Sequence, residues 1–244
     1  MKPPKTAMIL AAGLGKRLRP ITLHTPKPLV HIANKALIDY SIDLLKKAGV
    51  KKIIINIHHL GQKIIDFLAS IDDVEIVISD ERKALLDSAG GIIKALPLIG
   101  DEPFFVLNAD SFWLENKSNN LLELSKGFEP DKMDIRLLVT GIKNSTGHSK
   151  GYDFVLNQQG LIQRFNQKQK ITQQEKLVIY TGAALLNPAL FHQHKPVALS
   201  LNHFFDQTIS RSAAYGHQLK GHFITVGTLN AIKEAEKALK DFAT

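Results

Sequence analysis

Short apolar runs alternate along the first half of the chain with stretches of helical period. Ala7–Ala12 is a continuous apolar run, as a parallel strand covered on both faces requires, and Thr6–Ala12 reads as a buried strand. Ala36–Ala48 places Leu37, Ile38, Ile42, Leu44, Leu45 and Ala48 close to a 3.6-residue period, and Gly49 is a stop signal. Lys52–Ile57 reads as a strand, and Leu60–Leu68 as a helix with Ile64, Ile65 and Leu68 on one face. Val74–Ile78 is a third strand, Gly90–Leu96 a helix that Pro97 should end, and Phe104–Leu107 a fourth strand. This alternation predicts an α/β fold: a single doubly wound, mostly parallel mixed sheet flanked by helices. Ligands of such sheets bind beyond the carboxyl ends of strands, where strand order switches. A Gly-rich loop at Gly13 and a carboxylate at Asp110 both follow strand ends.

The second half is less regular. Asp134–Thr140 reads as a strand and Lys143–Gly151 as a polar loop. Phe154–Leu156 and Leu161–Phe165 flank Asn157–Gly160 as a hairpin. Gln167–Lys176 is polar and expected to be exposed, Val178–Leu186 is apolar, and Pro188–Phe191 should start a short helix. Leu199–Gly216 is expected to be helical, Gly221–Val226 a strand and Leu229–Phe242 a closing amphipathic helix. Neither repeat nor linker interrupts the 244 residues. One domain is expected over 1–244, with a nucleotide-binding half at about 1–115, a sugar-binding half at about 116–244, and a cleft between them.

Composition narrows the partners. With 31 Lys+Arg against 23 Asp+Glu the net charge is +8, which reads either as a preference for anions or as an ordinary soluble surface. The basic residues are scattered and aromatics are 7%, so nucleic acid is not an expected partner. The absence of Cys excludes disulfides, thiolate zinc sites and a thiol nucleophile. No apolar run approaches the roughly 18–20 residues that cross a bilayer, so no membrane partner is expected. The apolar stretch after the basic N-terminus ends at Gly13, shorter than a typical signal core, and a cytoplasmic location is expected.

In Gly13–Pro28 the glycines Gly13 and Gly15 allow backbone N–H groups close to a ligand, and Arg17 and Lys27 add positive charge. Pro20, Pro26 and Pro28 stiffen the segment. Leu18 stands where a dinucleotide fingerprint needs its third Gly, so that motif is excluded. By itself the loop is either a polyphosphate cradle or a Gly-rich turn with solvated charges.

The combination is more specific. Met8-Ile-Leu-Ala-Ala-Gly13, the Gly-x-Gly-x-Arg of Gly13–Arg17, Pro20-x-Thr22 and Pro26-Lys-Pro28 resemble the signature of the sugar-1-phosphate nucleotidyltransferases. The resemblance continues through Asn56, Gly61, Ala89-Gly-Gly-Ile92, Asn108-Ala-Asp110, Tyr180-Thr-Gly182 and Val226-Gly-Thr228, nearly the whole chain. The pattern is most similar to the short uridylyltransferases of N-acetylmuramate 1-phosphate, which act in cell-wall sugar recycling. Leu23–Pro28, Gly90–Pro97 and Asn187–Phe191 carry that likeness, and only a short tail follows Thr228.

The resemblance implies a Rossmann-like fold and transfer of a nucleotidyl group from a nucleoside triphosphate, UTP in the nearest group, to a sugar 1-phosphate. It implies Mg²⁺ as cofactor and a monomer or weak homo-oligomer. Ala11, Ala12, Gly13 and Gly15 should meet the nucleotide through backbone. Arg17 should sit on the β- and γ-phosphates and Lys27 on the α-phosphate or the sugar phosphate. Asp87 and Gly90 belong to the segment that reads the base, and Asn108 should position nucleotide or sugar. Asp153, Tyr180, Thr181 and Gly182 should line the sugar pocket, with Asp153 otherwise a surface carboxylate. Trp113, the sole Trp, suits core packing or sugar stacking equally. Asp110 should hold Mg²⁺, with a turn or helix cap as its alternative role.

Thr225 departs from this pattern, which usually has a second metal-binding Asp at that position. A neutral hydroxyl is a poor Mg²⁺ ligand, but Mg²⁺ is often held by one or two carboxylates plus substrate phosphates and water. Three readings therefore stand: a uridylyltransferase, a guanylyl-, thymidylyl- or cytidylyltransferase on another sugar or alcohol phosphate, and a nucleotide-sugar-binding protein without turnover.

Overall fold

The computed structural model describes residues 2–115 and 117–243. Besides the two-residue strands His31–Ile32, Lys35–Ala36 and Ser145–Thr146, the chain forms β1 (Thr6–Leu10), β2 (Lys52–Ile57), β3 (Glu75–Asp80), β4 (Phe104–Asn108) and β5 (Ser111–Leu114). They are followed by β6 (Ile135–Thr140), β7 (Phe154–Leu156), β8 (Ile162–Arg164), β9 (Lys176–Leu186), β10 (Ala214–Gln218) and β11 (His222–Thr225). Helices are α1 (Leu37–Lys47), α2 (Gly61–Leu68), α3 (Asp87–Ile99), α4 (Asn120–Lys126), α5 (Leu201–Ser210) and α6 (Leu229–Ala243).

β1 lies between β2 and β4 and is parallel to both, and β2 is parallel to β3. The chain therefore runs outward from β1 to β3 and returns to the other side of β1 at β4. That reversal is a topological switch point, and it opens a crevice at the carboxyl ends of β1 and β4. β9 is antiparallel to β4 and extends the sheet toward β7, β8, β6 and β10. Within this sheet only β8 and β9 oppose the direction of β1, so the mixed sheet is mostly parallel, as the pattern predicts.

Alternation along the strands supplies both faces. Ala7, Ile9, Ile53, Ile55, Phe105 and Leu107 join the apolar cluster that includes Leu37, Ile38 and Leu45 of α1 and Ile64 of α2. Met8, Ile54, Phe104 and Val106 join the cluster built with Ile92 and Ile93 of α3 and Phe204 of α5. Both faces are covered, so these strands read as unbroken apolar runs.

Two expectations need correction. α3 continues through Pro97 to Ile99. Proline removes one N–H, but it stands in the last turn, and Ile99 is buried with its neighbours in the core. The expected helix over Leu199–Gly216 ends at Ser210, and Ala214–Gln218 is strand β10, paired with β6. Buried Ala214 and Gly216 follow the period of two once that pairing is made. β5 and α4 form where the pattern predicts no element. Strand β5 pairs only with β11, far along the chain, so no local signal marks it.

Among the described residues no helix is long and apolar enough to cross a membrane. Trp113 is resolved in favour of the core: it is 3% exposed, and its indole N–H donates to Glu115 at 3.0 Å.

Candidate functional site

The switch-point crevice gathers residues from distant parts of the chain. A cavity of about 440 Å³ is lined by Leu10, Ala12, Gly13, Asn56, Leu85, Asp87, Ser88, Asn108, Asp110 and Ala198. A smaller one of about 70 Å³ adjoins it, sharing Leu10, Gly13 and Asp110 and adding Lys27. A larger cavity, about 690 Å³, lies between Pro130–Asp134, Ala189–His194 and Gln207–Ala213; it includes Ala189 and Leu190 of the Asn187–Phe191 motif but none of the residues expected to bind nucleotide, sugar or metal. The crevice at β1 and β4 is therefore the candidate active site despite its smaller volume.

Two of its three charged members, Lys27 and Asp110, meet directly. Lys27 Nζ is 2.5 Å from Asp110 Oδ2, with 13% and 32% of their side chains exposed. The sequence separates them by 83 positions. Gly13 faces open space: a Cβ there would touch nothing, so the backbone beside the pair is accessible. Gly15 has another task. It adopts φ +61° at the start of a 3-10 turn over Lys16–Leu18, and its carbonyl accepts the Thr22 hydroxyl at 2.8 Å. Arg17 is exposed, and its guanidinium lies against Gly227, where an added Cβ would come within 3.1–3.3 Å of it.

β11 delivers Thr225 to this centre. Thr225 pairs with Ser111, and the N–H of Val226 donates to the Asp110 carbonyl at 2.9 Å. The position expected to carry a second carboxylate therefore stands beside Asp110 and holds a hydroxyl. Among the described residues no cluster of three His, Asp or Glu side chains is arranged to hold a metal. Asp110, partly exposed at a strand end, fits a Mg²⁺ ion completed by phosphate oxygens and water.

Other motif residues are committed differently from the simple expectation. The Ala11 N–H donates to Asn56 Oδ1 at 2.7 Å, so it is not free for a ligand. Gly90 lies outside the cavity lining. A Cβ on it would collide with the Val197 carbonyl, because the segment before α5 crosses the start of α3 there. The N–H groups of Ala89 and Gly90 donate to the Leu199 carbonyl. Gly90→Ala is expected to lower stability by about 2 kcal/mol through overpacking, read as a drop in melting temperature. Asp87 does line the cavity, at φ +58°.

On the far side, Asp153 Oδ2 accepts the Tyr180 N–H at 2.8 Å. The Tyr180 ring packs edge-on to Phe205, and burial of its hydroxyl pushes its pKa well above the usual phenol value. The Thr181 hydroxyl donates to the Leu138 carbonyl. Neither Tyr180 nor Thr181 lines the crevice cavities, and the Thr181 hydroxyl is taken up by the Leu138 carbonyl. Gly182 sits in a register irregularity of β9 at φ +80°, and a Cβ there would lie 2.5 Å from Ser111 Oγ and 2.9 Å from Asn108 Nδ2. Asn108 borders the crevice because Gly182 leaves it room.

With this geometry established, comparison with known proteins is direct. The model of the nucleotidyl transferase family matches residues 6–242. The chain is 33% identical over 242 residues to the N-acetylmuramate alpha-1-phosphate uridylyltransferase of Caulobacter vibrioides, covering 98% of each chain. It is 31% identical over 225 residues to the mannose-1-phosphate guanylyltransferase catalytic subunit beta of Dictyostelium discoideum, covering 91% of this chain and 60% of that one. The structure of a UDP-glucose pyrophosphorylase complexed with UDP-glucose superposes with a TM-score of 0.75, at 19% identity over 98% of this chain and 99% of the other, a likeness of fold. The chain belongs to the nucleotidyl transferase family. It is an enzyme of nucleotidyl transfer.

Proposed function

We propose that the chain joins UTP to N-acetylmuramate 1-phosphate, giving the nucleotide sugar and pyrophosphate. The observation that carries the site reading is the Lys27–Asp110 pair, placed beside open Gly13 backbone at the switch point. The choice of base and sugar rests on likeness to the Caulobacter enzyme along both whole chains.

In this reading a phosphate oxygen of the sugar 1-phosphate attacks the α-phosphorus. The new P–O bond forms as the bond from the α-phosphorus to the bridging oxygen breaks, and pyrophosphate leaves with that electron pair. Such chemistry depends on positioning and on neutralising charge rather than on a covalent enzyme intermediate. Lys27 turns from Asp110 to the α-phosphate. Arg17, resting on Gly227, balances the departing pyrophosphate. Asp110 would hold Mg²⁺, which supplies charge neutralisation at the phosphates when bound. Asp87 and Leu85 border the base, and Asn108, beside Gly182, borders the sugar.

A pyrophosphate-release assay with four nucleoside triphosphates and a panel of sugar 1-phosphates tests this. UTP with N-acetylmuramate 1-phosphate should give the highest kcat/KM. Preference for GTP with mannose 1-phosphate would favour the guanylyl reading that the Dictyostelium relative raises. Nucleotide binding without release from any pair would leave a binding protein.

Thr225→Asp should restore a second carboxylate and lower the Mg²⁺ concentration for half-maximal rate by about tenfold, since one added charge at contact distance is worth more than about 1 kcal/mol. An unchanged Mg²⁺ dependence would remove Thr225 from the metal's surroundings.

A further inference from the structure

A chain of hydrogen bonds runs back from the cavity wall at Asn56, with both of its side chains buried. The Ala11 N–H donates to Asn56 Oδ1 at 2.7 Å. Asn56 Nδ2 donates to Glu81 Oε1 at 2.7 Å. The other carboxyl oxygen, Oε2, accepts the N–H of Leu86 at 3.1 Å. Asn56 is 2% exposed and Glu81 fully buried. Gly91 makes room for the assembly: a Cβ on it would stand 2.6 Å from Glu81 Oε1 and 2.8 Å from Asn56 Nδ2. No cation makes an ion pair with Glu81 among the described residues, so its environment is set by these donors.

We propose that Asn56 and Glu81 are positioning residues that lock the phosphate-side loop and the base-side loop into one nucleotide site. Ala11 leads into Ala12 and Gly13, which line the cavity, and Leu86 lies between Leu85 and Asp87, which line its other wall. Two loops far apart in the sequence are thereby tied at a distance set by this relay. The proposal rests on the reading that the triphosphate occupies this cavity. It adds that the fit between phosphate and base subsites is made by a buried polar relay, of which Asn56 borders the cavity and Glu81 does not.

The relay has a fixed polarity, which makes it testable. Both ends are backbone N–H donors, so the outer side-chain atoms must accept. In the native pair, Asn56 turns its oxygen to Ala11 and its amino group to Glu81. Glu81→Gln alone sets an amino group against either the Asn56 amino group or the Leu86 N–H. Asn56→Asp alone sets two carboxyl groups against each other. The double variant Asn56→Asp/Glu81→Gln reverses only the central bond. The carboxylate now at position 56 accepts from the Ala11 N–H and from the amide amino group now at position 81. The amide oxygen at position 81 accepts from Leu86. The whole relay is restored with the same heavy-atom shape.

UTP binding by calorimetry in the absence of sugar phosphate, KM for each substrate and melting temperature are measured for the wild type, both single variants and the double. Each single variant is expected to weaken UTP binding by about tenfold, as one mismatched buried hydrogen bond does, with KM for the sugar phosphate within about twofold of wild type. The double variant should return UTP binding to within about twofold of wild type. If Asn56→Asp alone does not fold, a folded, UTP-binding double variant supports the relay equally. Singles that bind UTP like the wild type, or a double no better than the weaker single, would overturn it. A wild-type chain that binds no nucleotide overturns the site reading itself, whereas unchanged variants of a binding wild type overturn the relay alone.

Discussion

Replacing Asp110 with Ala is expected to lower kcat by on the order of 10³-fold, the scale seen when a preorganised charge is removed from a transition state. Its ion-pair partner is Lys27, and among the described residues no cluster of three His, Asp or Glu side chains stands ready to take over its role. The substitution should leave the melting temperature close to that of the wild type, because the Lys27–Asp110 pair is partly exposed and such pairs contribute little to stability. Asp110→Asn keeps the shape and should fail almost as completely, which separates charge from packing. Steady-state pyrophosphate release at saturating UTP and Mg²⁺ reads the effect. A kcat within about tenfold of wild type for both variants would remove Asp110 from the chemistry.

Gly182→Ala should be costly in a different way. Its φ of +80° is strained for any residue with a side chain, by about 1–2 kcal/mol. Its Cβ would also enter the space of Ser111 Oγ and Asn108 Nδ2. Overpacking of this kind adds about 1–3 kcal/mol, for a combined loss of about 3 kcal/mol. For a chain of this size that lowers the melting temperature by roughly 6–12 °C. The same displacement moves Asn108, so KM for the sugar phosphate should rise even at temperatures where the variant stays folded. Melting and activity measured together check both halves. A Gly182→Ala variant with native melting temperature would show that the irregularity of β9 relaxes to accept a side chain.

Much of this architecture is legible along the chain. Lys52–Ile57 is found where its apolar run predicts, because a strand covered on both faces needs no pairing information to be recognised. The loop at Gly13 and the carboxylate at Asp110 are marked by local signals at strand ends. Other features depend on contacts between distant segments. Gly90 belongs beneath Val197, and Gly182 beside Asn108, and neither partner can be inferred from its neighbours in sequence. Asn56 and Glu81 are ordinary polar residues until folding buries them against Ala11 and Leu86. Strand β10 carries too weak a local period to compete with the helical reading until β6 offers its edge.

The sequence by itself determined the layered α/β class, the succession of its first long strands and the Gly-rich loop that follows β1, because hydrophobic period and Gly placement are local properties of the chain. Only the tertiary structure decided that Lys27 meets Asp110, that the end of β11 is tied to the Asp110 carbonyl through Val226, and that the backbone of Ala11 is already held by Asn56. Those facts depend on which strand ends share a crevice, and that is set by packing across the whole sheet rather than by any segment of it.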